Sequence, residues 1–357
     1  MENHLPHRFF LPMARMSFFG GFMPSQYDVL GIGNAIMDVI APVENEVLIR
    51  ENITKASMTL IDQKRALSLH EALSSSTTEM VQDAGGSGAN TVAGIAALGA
   101  RAAYIGKVGD DTLGRAFTES LCRQNVGVCD IEQSKTQATA RCLIAVTPDG
   151  ERSMSTFLGA NTEFGPNDVD ADMVRASAVT YLEGYLFDTD AQKAAFVKAA
   201  EIATAAGRQV ALTLSDSFCV DRHRAAFVQL VDNHVDILFA NEAELLSLYE
   251  NTDLTQALER VWATKTTTLV TRSEKGSLVK NGGTVHEIQA VPVDKIVDTT
   301  GAGDQYAAGV LAGQAQGLDW VDAARLGSLC AAEVITHYGA RPETSIADLV
   351  KKGVTQL

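Results

Sequence analysis

A glycine-rich turn near the end of the chain places a carboxylate where it could take a proton from an alcohol. The turn reads Gly301-Ala302-Gly303-Asp304 and leads directly into an apolar, helical segment. Nothing larger than a methyl group obstructs its backbone N–H groups, and the start of a helix adds roughly half a positive charge. Together they form a pocket for a phosphate in transfer, with Asp304 as the proton acceptor. The simpler alternative is a helix start that Asp304 only caps.

A second glycine-rich segment, earlier in the chain, could hold a substrate that carries hydroxyl groups. It reads Gly85-Gly86-Ser87-Gly88-Ala89-Asn90. Paired glycines allow the backbone to approach a ligand closely, and the side chain of Asn90 offers both a donor and an acceptor. A tight turn between a strand and a helix, with no ligand, is the alternative.

Apolar strands and helices alternate along most of the chain and would position both turns. The alternation predicts an α/β fold: a mostly parallel central sheet with helices on both faces, in three αβα layers. Strands are predicted at residues 27–33, 101–108, 178–182, 209–214, 237–240 and 268–271. Helices are predicted at residues 61–73, 90–98, 112–124, 191–206, 222–231, 242–249, 302–316 and 320–337.

One segment interrupts this alternation, and one lies ahead of it. Residues 139–157 contain two apolar strands around Pro148-Asp149-Gly150, which predicts a hairpin. With residues 39–58 this hairpin is expected to form a small β-sheet lid on a domain that spans 28–357. Residues 1–27 are basic and poor in acids, but no continuous apolar run marks a targeting peptide. We therefore expect a disordered N-terminal extension there.

Charge and composition exclude several classes of protein. The 357 residues include 29 basic and 44 acidic side chains, for a net charge of -15. A field of this sign repels nucleic-acid backbones and anionic membrane surfaces. No run of about 18 apolar residues occurs, so we expect no membrane-spanning segment. The five cysteines form no C-x-x-C pair, which favours reduced thiols and a cytoplasmic location.

Two common nucleotide-binding motifs are incomplete or missing. Gly31-Ile32-Gly33 follows a predicted strand, but Ile36 stands where a dinucleotide-binding loop needs its third glycine. The chain also has no G-x-x-x-x-G-K-[ST] segment, which argues against a P-loop enzyme.

The two glycine-rich segments together resemble the paired signatures of the ribokinase-like (PfkB) carbohydrate kinase family. The matching stretches are residues 85–114 and 298–313, and the resemblance extends from residue 28 to about 345. The family fold implies the central sheet and the small β lid. In that family the aspartate of GAGD is the catalytic base and the preceding amides form an anion hole. The resemblance therefore implies these roles for Asp304 and for Gly301, Ala302 and Gly303.

Shorter segments resemble the adenosine kinase branch of that family. Asn34 and Asp38 lie four residues apart, as in the pair that holds ribose hydroxyls there, with Gly85, Gly86, Ser87 and Asn90 on the same substrate side. Asp38 could accept hydrogen bonds from both hydroxyls of a vicinal diol, although a surface residue at a strand end is the alternative. Tyr185 falls where that branch carries an aromatic, which implies stacking on a purine. A core tyrosine is the alternative.

Further family elements imply a site for ATP. Asn241 and Glu244 match its N-x-x-E element and would act on Mg²⁺ and the triphosphate, with Glu244 reaching the metal through water. Arg152, in the predicted hairpin, matches an arginine that reaches the transferred phosphate, and a solvated hairpin charge is the alternative.

The element that resembles the donor-nucleotide loop departs from the family pattern. Thr271, Ser273 and Gly276 occupy its T-x-G-x-x-G positions, but Ser273 replaces the first glycine. We therefore expect altered geometry in this loop, and the donor nucleotide is less certain than the reaction type.

The resemblance implies a Mg²⁺-dependent kinase that uses ATP to phosphorylate a ribose-type primary hydroxyl, foremost the 5′-hydroxyl of adenosine. The alternatives are a sugar kinase of the same family and a nucleoside-binding protein that has lost catalysis, although Asp304 is retained. The sequence leaves open whether K⁺ is needed near the anion hole. It also leaves open whether the protein is a monomer or a homodimer formed through the lid.

Overall fold

An eight-stranded sheet is the largest element of the computed structural model, which describes residues 25–127 and 131–344. The strands in chain order are β1 Tyr27–Ile32, β2 Ile36–Pro42, β3 Met58–Leu60, β4 Val81–Gly85, β5 Ala102–Ile105, β6 Lys107–Gly109, β7 Glu132–Ser134, β8 Ala140–Val146, β9 Arg152–Phe157, β10 Ser177–Glu183, β11 Gln209–Thr213, β12 Ile237–Asn241, β13 Thr267–Thr271, β14 Ser277–Asn281 and β15 Thr284–Ile288. The helices are α1 Asn45–Arg50, α2 Gln63–Ser76, α3 Ser87–Ala97, α4 Thr112–Arg123, α5 Ala171–Ala176, α6 Asp190–Ala205, α7 Ser217–His234, α8 Glu242–Leu248, α9 Leu254–Trp262, α10 Ala302–Ala315 and α11 Trp320–Val334.

The large sheet is mostly parallel, as the alternation predicts. Its order is β15-β14-β13-β12-β11-β10-β1-β5, and every neighbouring pair from β13 to β5 is parallel. Two antiparallel strands, β14 and β15, extend one edge, and sequence reasoning missed them together with α9. Buried side chains on successive β1 residues enter different clusters: Leu30 packs with α6 and α7, and Val29 with α3 and α10. Helices therefore cover both faces, which confirms the predicted layers.

The smaller sheet is the lid, and it is larger than predicted. Its strand order is β3-β9-β8-β2-β4, with the predicted hairpin at β8 and β9. The prediction of 39–58 and 139–157 was wrong at one edge, because β4 pairs antiparallel with β2 and belongs to the lid. Three of the five β4 residues are exposed, so no apolar alternation marked it as a strand. One face of the lid packs on α1 and α2 through Val39, Leu69 and Leu143.

Several predicted boundaries shift for local reasons. The stretch 101–108 forms two strands, because the chain leaves the large sheet at Gly106 and β6 pairs with β7 instead. The helix predicted at 222–231 begins at Ser217 and is kinked at His223 (φ -129°, ψ 19°). The helix predicted at 61–73 begins at Gln63, after Asp62 accepts a hydrogen bond from the N–H of Arg65 at 2.7 Å.

The predicted N-terminal extension lies outside the described residues except at its end. Tyr27 is part of β1, so the ordered domain begins before the predicted boundary at residue 28. None of the helices in residues 25–127 and 131–344 is long and apolar enough to cross a membrane.

Candidate functional site

The turn that precedes Asp304 has the geometry expected of an anion-binding helix start. Gly301 caps α10 with φ 79°, and a Cβ atom there would lie 2.6 Å from the Cα of Ala340. Only glycine fits, because both the backbone angle and the space exclude a side chain. The first N–H groups of a helix have no intrahelical partner. The N–H of Ala302 donates to the carbonyl of Thr299 at 3.2 Å. Gly303, the next residue, is exposed to solvent.

The Asp304 carboxylate binds the other glycine-rich segment. Ser87 Oγ donates to Oδ1 at 2.6 Å, and Asn90 Nδ2 donates to Oδ2 at 3.2 Å. Burial raises the pKa of Asp304 to about 6, against the two hydrogen bonds and the nearby Arg341. A carboxylate with this pKa is ionised at neutral pH and basic enough to take a proton. The capping position of α10 belongs to Gly301, so Asp304 is not a simple cap.

The second glycine-rich segment ends β4 and begins α3. Helix α3 starts at Ser87, not at Asn90 as predicted, because Gly86 turns the chain with φ 91°. A Cβ atom at Gly85 would overlap the carboxylate of Asp38 on the neighbouring strand β2. The missing side chain of Gly85 is therefore the space in which Asp38 lies. Burial raises the pKa of Asp38 to about 7, with Arg152 opposing the rise.

Glu183 joins the segment at Asn34 to the segment at Ser87, a contact the sequence did not reveal. The backbone N–H of Asn34 donates to Glu183 Oε2 at 2.6 Å, and the N–H groups of Ser87 and Gly88 donate to the same carboxylate. Glu183 ends β10 and is 1% exposed, and burial raises its pKa to about 8. The signal in the sequence was an acid at the carboxyl end of an otherwise apolar strand.

Arg152 connects the lid to the segment that precedes Gly301. Its Nη1 forms an ion pair with Oδ2 of Asp298, which lies three residues before Gly301. Asp298 Oδ1 in turn accepts from the N–H of Thr300 at 3.0 Å and from its hydroxyl at 2.6 Å. These contacts hold the pKa of Asp298 below its usual value despite burial. Arg152 is therefore not a solvated hairpin charge, because its side chain is 19% exposed and paired beside the turn.

Tyr185 follows β10 and lies at the protein surface, not in the core. It is 36% exposed, and its backbone N–H donates to Ser215 Oγ at 3.1 Å. Burial raises the pKa of its hydroxyl, with Asp216 adding most and Asp304 and Glu244 adding less. A second aromatic that sequence reasoning missed, Phe218, is 54% exposed after β11. The guanidinium of Arg222 lies 4.6 Å from the centre of the Phe218 ring.

Asn241 and Glu244 bind each other at the start of α8. Asn241 donates from its N–H to Glu244 Oε2 at 3.0 Å and from Nδ2 to Oε1 at 2.7 Å. The N–H of Glu244 donates back to Asn241 Oδ1 at 2.9 Å, which completes a capping box. Burial raises the pKa of Glu244 to about 7.

This pair fits a hydrated Mg²⁺ better than a directly bound one. Both Glu244 oxygens already accept hydrogen bonds from Asn241. Within residues 25–127 and 131–344, no group of three or more His, Cys, Asp or Glu side chains could hold a metal ion. Mg²⁺ usually keeps several waters and binds through substrate phosphates, so contact through water is the arrangement these residues could support.

The loop that contains Ser273 keeps a glycine-like conformation. Ser273 has φ 52°, in the left-handed region, at the start of a short turn after Thr271 ends β13. Gly276 has φ 78°, and a Cβ atom there would overlap the carbonyl oxygen of Ile288. A serine at φ 52° costs about 1–2 kcal/mol relative to glycine. Ser273 therefore occupies the glycine position with strain.

Comparisons with known proteins show which family the chain is similar to. A model of the pfkB family carbohydrate kinases matches residues 50–347. The adenosine kinase of Saccharomyces cerevisiae is 29% identical over 331 residues, covering 86% of this chain and 94% of that protein. A fructokinase of Klebsiella pneumoniae is 28% identical, covering 66% of this chain and 78% of that protein. The crystal structure of adenosine kinase from Sinorhizobium meliloti is 46% identical, covers 92% of this chain and 99% of its own, and has a TM-score of 0.84.

Proposed function

The chain belongs to the pfkB family of carbohydrate kinases, and on this premise we propose that it transfers the γ-phosphate of ATP to the 5′-hydroxyl of adenosine. The family fixes the coarser statement: the protein is a carbohydrate or nucleoside kinase, a phosphotransferase with an alcohol as acceptor. The observation that carries the proposal is the Asp304 carboxylate at the head of α10, held by Ser87 and Asn90.

In the proposed reaction, Asn34 and Asp38 hold the ribose hydroxyls and the 5′-hydroxyl lies against Asp304. Asp304 takes the hydroxyl proton as the oxygen attacks the γ-phosphorus in line, and the bond from that phosphorus to the ADP oxygen breaks. The amides at the head of α10 and the guanidinium of Arg152 stabilise the transferred group. Mg²⁺, when bound with ATP, would neutralise charge on the phosphate oxygens.

The donor side is proposed to lie at the carboxyl ends of the neighbouring strands. Asn241 and Glu244 begin α8 after β12, and Thr271, Ser273 and Gly276 follow β13. Ligands in open α/β sheets bind outside the carboxyl ends of the strands. ATP lying across these two loops would point its γ-phosphate toward the head of α10.

Two features favour a nucleoside over a free sugar as the acceptor. Tyr185 and Phe218 are exposed aromatic residues in the segments that follow the parallel neighbours β10 and β11, and such rings can stack on a purine. Of the two curated relatives above, the adenosine kinase matches 86% of this chain and the fructokinase 66%, whereas a solved structure from Rhizobium etli that covers 92% of this chain is named a probable sugar kinase. The similarity to fructokinases keeps a sugar kinase as the second candidate.

A substrate panel tests the proposal. Adenosine, inosine, ribose and fructose are each incubated with ATP and Mg²⁺, in KCl and in NaCl, and ADP formation is measured. We expect adenosine to give the highest kcat/KM. A clear preference for ribose or fructose would overturn the nucleoside assignment and leave the family intact. Adenosine binding by calorimetry without turnover of any acceptor would favour a binding protein that has lost catalysis.

A further inference from the structure

Arg341 reaches the candidate site from the loop that follows α11, and sequence reasoning assigned it no role. Its Nε donates to Asn90 Oδ1 at 3.2 Å, and its Nη1 donates to Ser120 Oγ at 3.1 Å. The Nη2 atom is buried and has no hydrogen-bond partner among the described residues. The guanidinium therefore uses two of its three nitrogens to bind groups on α3 and α4.

The loop that carries Arg341 is fixed on both sides of it. Gln305 Nε2 donates to the carbonyl of Ala340 at 2.8 Å. Glu333 Oε1 accepts from the N–H groups of Glu343 at 3.1 Å and Thr344 at 2.8 Å. Because Gln305 lies next to Asp304 on α10, the loop and the candidate base are held by the same helix.

The contact with Arg341 determines which end of the Asn90 amide faces Asp304. A guanidinium can only donate hydrogen bonds, so its partner on an amide side chain must be the oxygen and not the NH₂ group. With Oδ1 on Arg341, Nδ2 faces the Asp304 carboxylate and donates to Oδ2 at 3.2 Å. The flipped amide would set its NH₂ against the guanidinium and its oxygen against the carboxylate, and both contacts are repulsive.

We propose that Arg341 is a positioning residue for phosphate transfer: it fixes the amide of Asn90, and through that amide the Asp304 carboxylate, toward the acceptor hydroxyl. This inference rests on the proposed function, because it assigns a role within the same reaction. Arg341 does not contact the reacting atoms in this arrangement.

The charges around Asp304 define a readout that a merely structural role would not affect. Arg341 is the cation whose charge opposes the rise in the pKa of Asp304. Loss of that cation should raise the pKa of Asp304 further and move the acid limb of the rate profile to higher pH. The Asp304 charge in turn raises the pKa values of acids and phenols on β2, on β10 and after β10: Asp38, Tyr181, Glu183 and Tyr185.

The test compares R341Q, R341K and R325Q in steady-state turnover of adenosine, or of the acceptor that the panel identifies, between pH 5 and 9. We expect R341Q to lose kcat about tenfold or more, since small displacements of catalytic groups carry such penalties, and to shift its acid limb upward. R341K keeps the charge but lacks the planar fork, so its limb should stay near that of the wild type while kcat falls. Arg325 pairs with Asp322 on the surface of α11, 42% exposed, and R325Q should match the wild type.

A double-mutant cycle with N90A separates positioning from a general loss of structure. If Arg341 positions Asp304 through Asn90, R341Q should add little to the loss of the pH-independent kcat in N90A, whereas independent effects on kcat would add. Melting temperatures of all variants identify any that fail to fold. If R341Q fails to fold, the comparison of R341K with the wild type replaces it. Additive losses of kcat in R341Q and N90A would overturn this inference alone. So would an R341Q variant whose kcat and acid limb match those of an active wild type. A wild type that phosphorylates no acceptor would overturn the proposed function, and this inference with it.

Discussion

Replacement of Asp304 by asparagine should abolish most turnover and yet stabilise the protein. The amide keeps the size of the side chain but cannot take a proton, so we expect kcat to fall about 10²–10⁴-fold, the usual range for a lost acid–base group. Nucleoside affinity should change much less, because Asp38 and Asn34 remain.

The magnitude of the stability change follows from the burial of Asp304. Burial raises its pKa from 3.8 to about 6, so the ionised carboxylate destabilises the fold by roughly 3 kcal/mol above pH 6. Because the folded pKa is raised, this cost is absent below pH 3.8 and grows as the pH rises. Asparagine removes the charge but faces either Ser87 or Asn90 with a mismatched group, which costs about 1 kcal/mol. We therefore expect D304N to be about 1–2 kcal/mol more stable at pH 8 and no more stable than the wild type at pH 4.

The assay pairs initial rates of ADP formation with urea unfolding at both pH values. Asp322 provides a matched control, because it is the third residue of α11 as Asp304 is of α10, but its side chain is 48% exposed. D322N should leave the rate of ADP formation unchanged and the free energy of unfolding within about 0.5 kcal/mol of the wild type. Turnover of D304N within about fivefold of the wild type would remove Asp304 from the mechanism. A D304N protein that is less stable at pH 8 would refute the burial argument.

Three further outcomes are expected. G301A should lose activity and about 2–4 kcal/mol of unfolding free energy, because φ 79° and the adjacent loop exclude a methyl group; a soluble, active variant with an unchanged urea midpoint would contradict this. S273G should gain about 1 kcal/mol of stability by relieving the strain at φ 52° and keep its KM for ATP, and an unchanged or lower urea midpoint would count against it. The kcat/KM for adenosine should fall below about pH 7, because Asp38 and Asp304, with pKa values of about 7 and 6, must both be ionised; a flat profile down to pH 5 would exclude both as titrating groups.

The sequence alone determined the features that depend on local chemistry. Gly86 and Gly301 have positive φ angles, which other residues adopt only at a cost in free energy. Helices α3 and α10 begin directly after these two glycines. Apolar runs marked the parallel strands because these are buried on both faces. The strands with mostly exposed side chains, β4 and β15, carry no such pattern and were missed. Strand β14 is largely buried but was missed as well, because two of its three buried residues, Ser277 and Lys280, are polar.

Only the tertiary structure decided which groups meet. Asp304 lies 217 residues from Ser87 and 214 from Asn90 along the chain, and Arg341 lies 251 from Asn90. These contacts form because α3 and α10 pack together with their first turns adjacent, and because the loop after α11 returns across them. No local period or propensity encodes such pairings, since each depends on how distant elements are packed. The charge environment of Asp304 and the role inferred for Arg341 therefore come from the fold and not from either segment by itself.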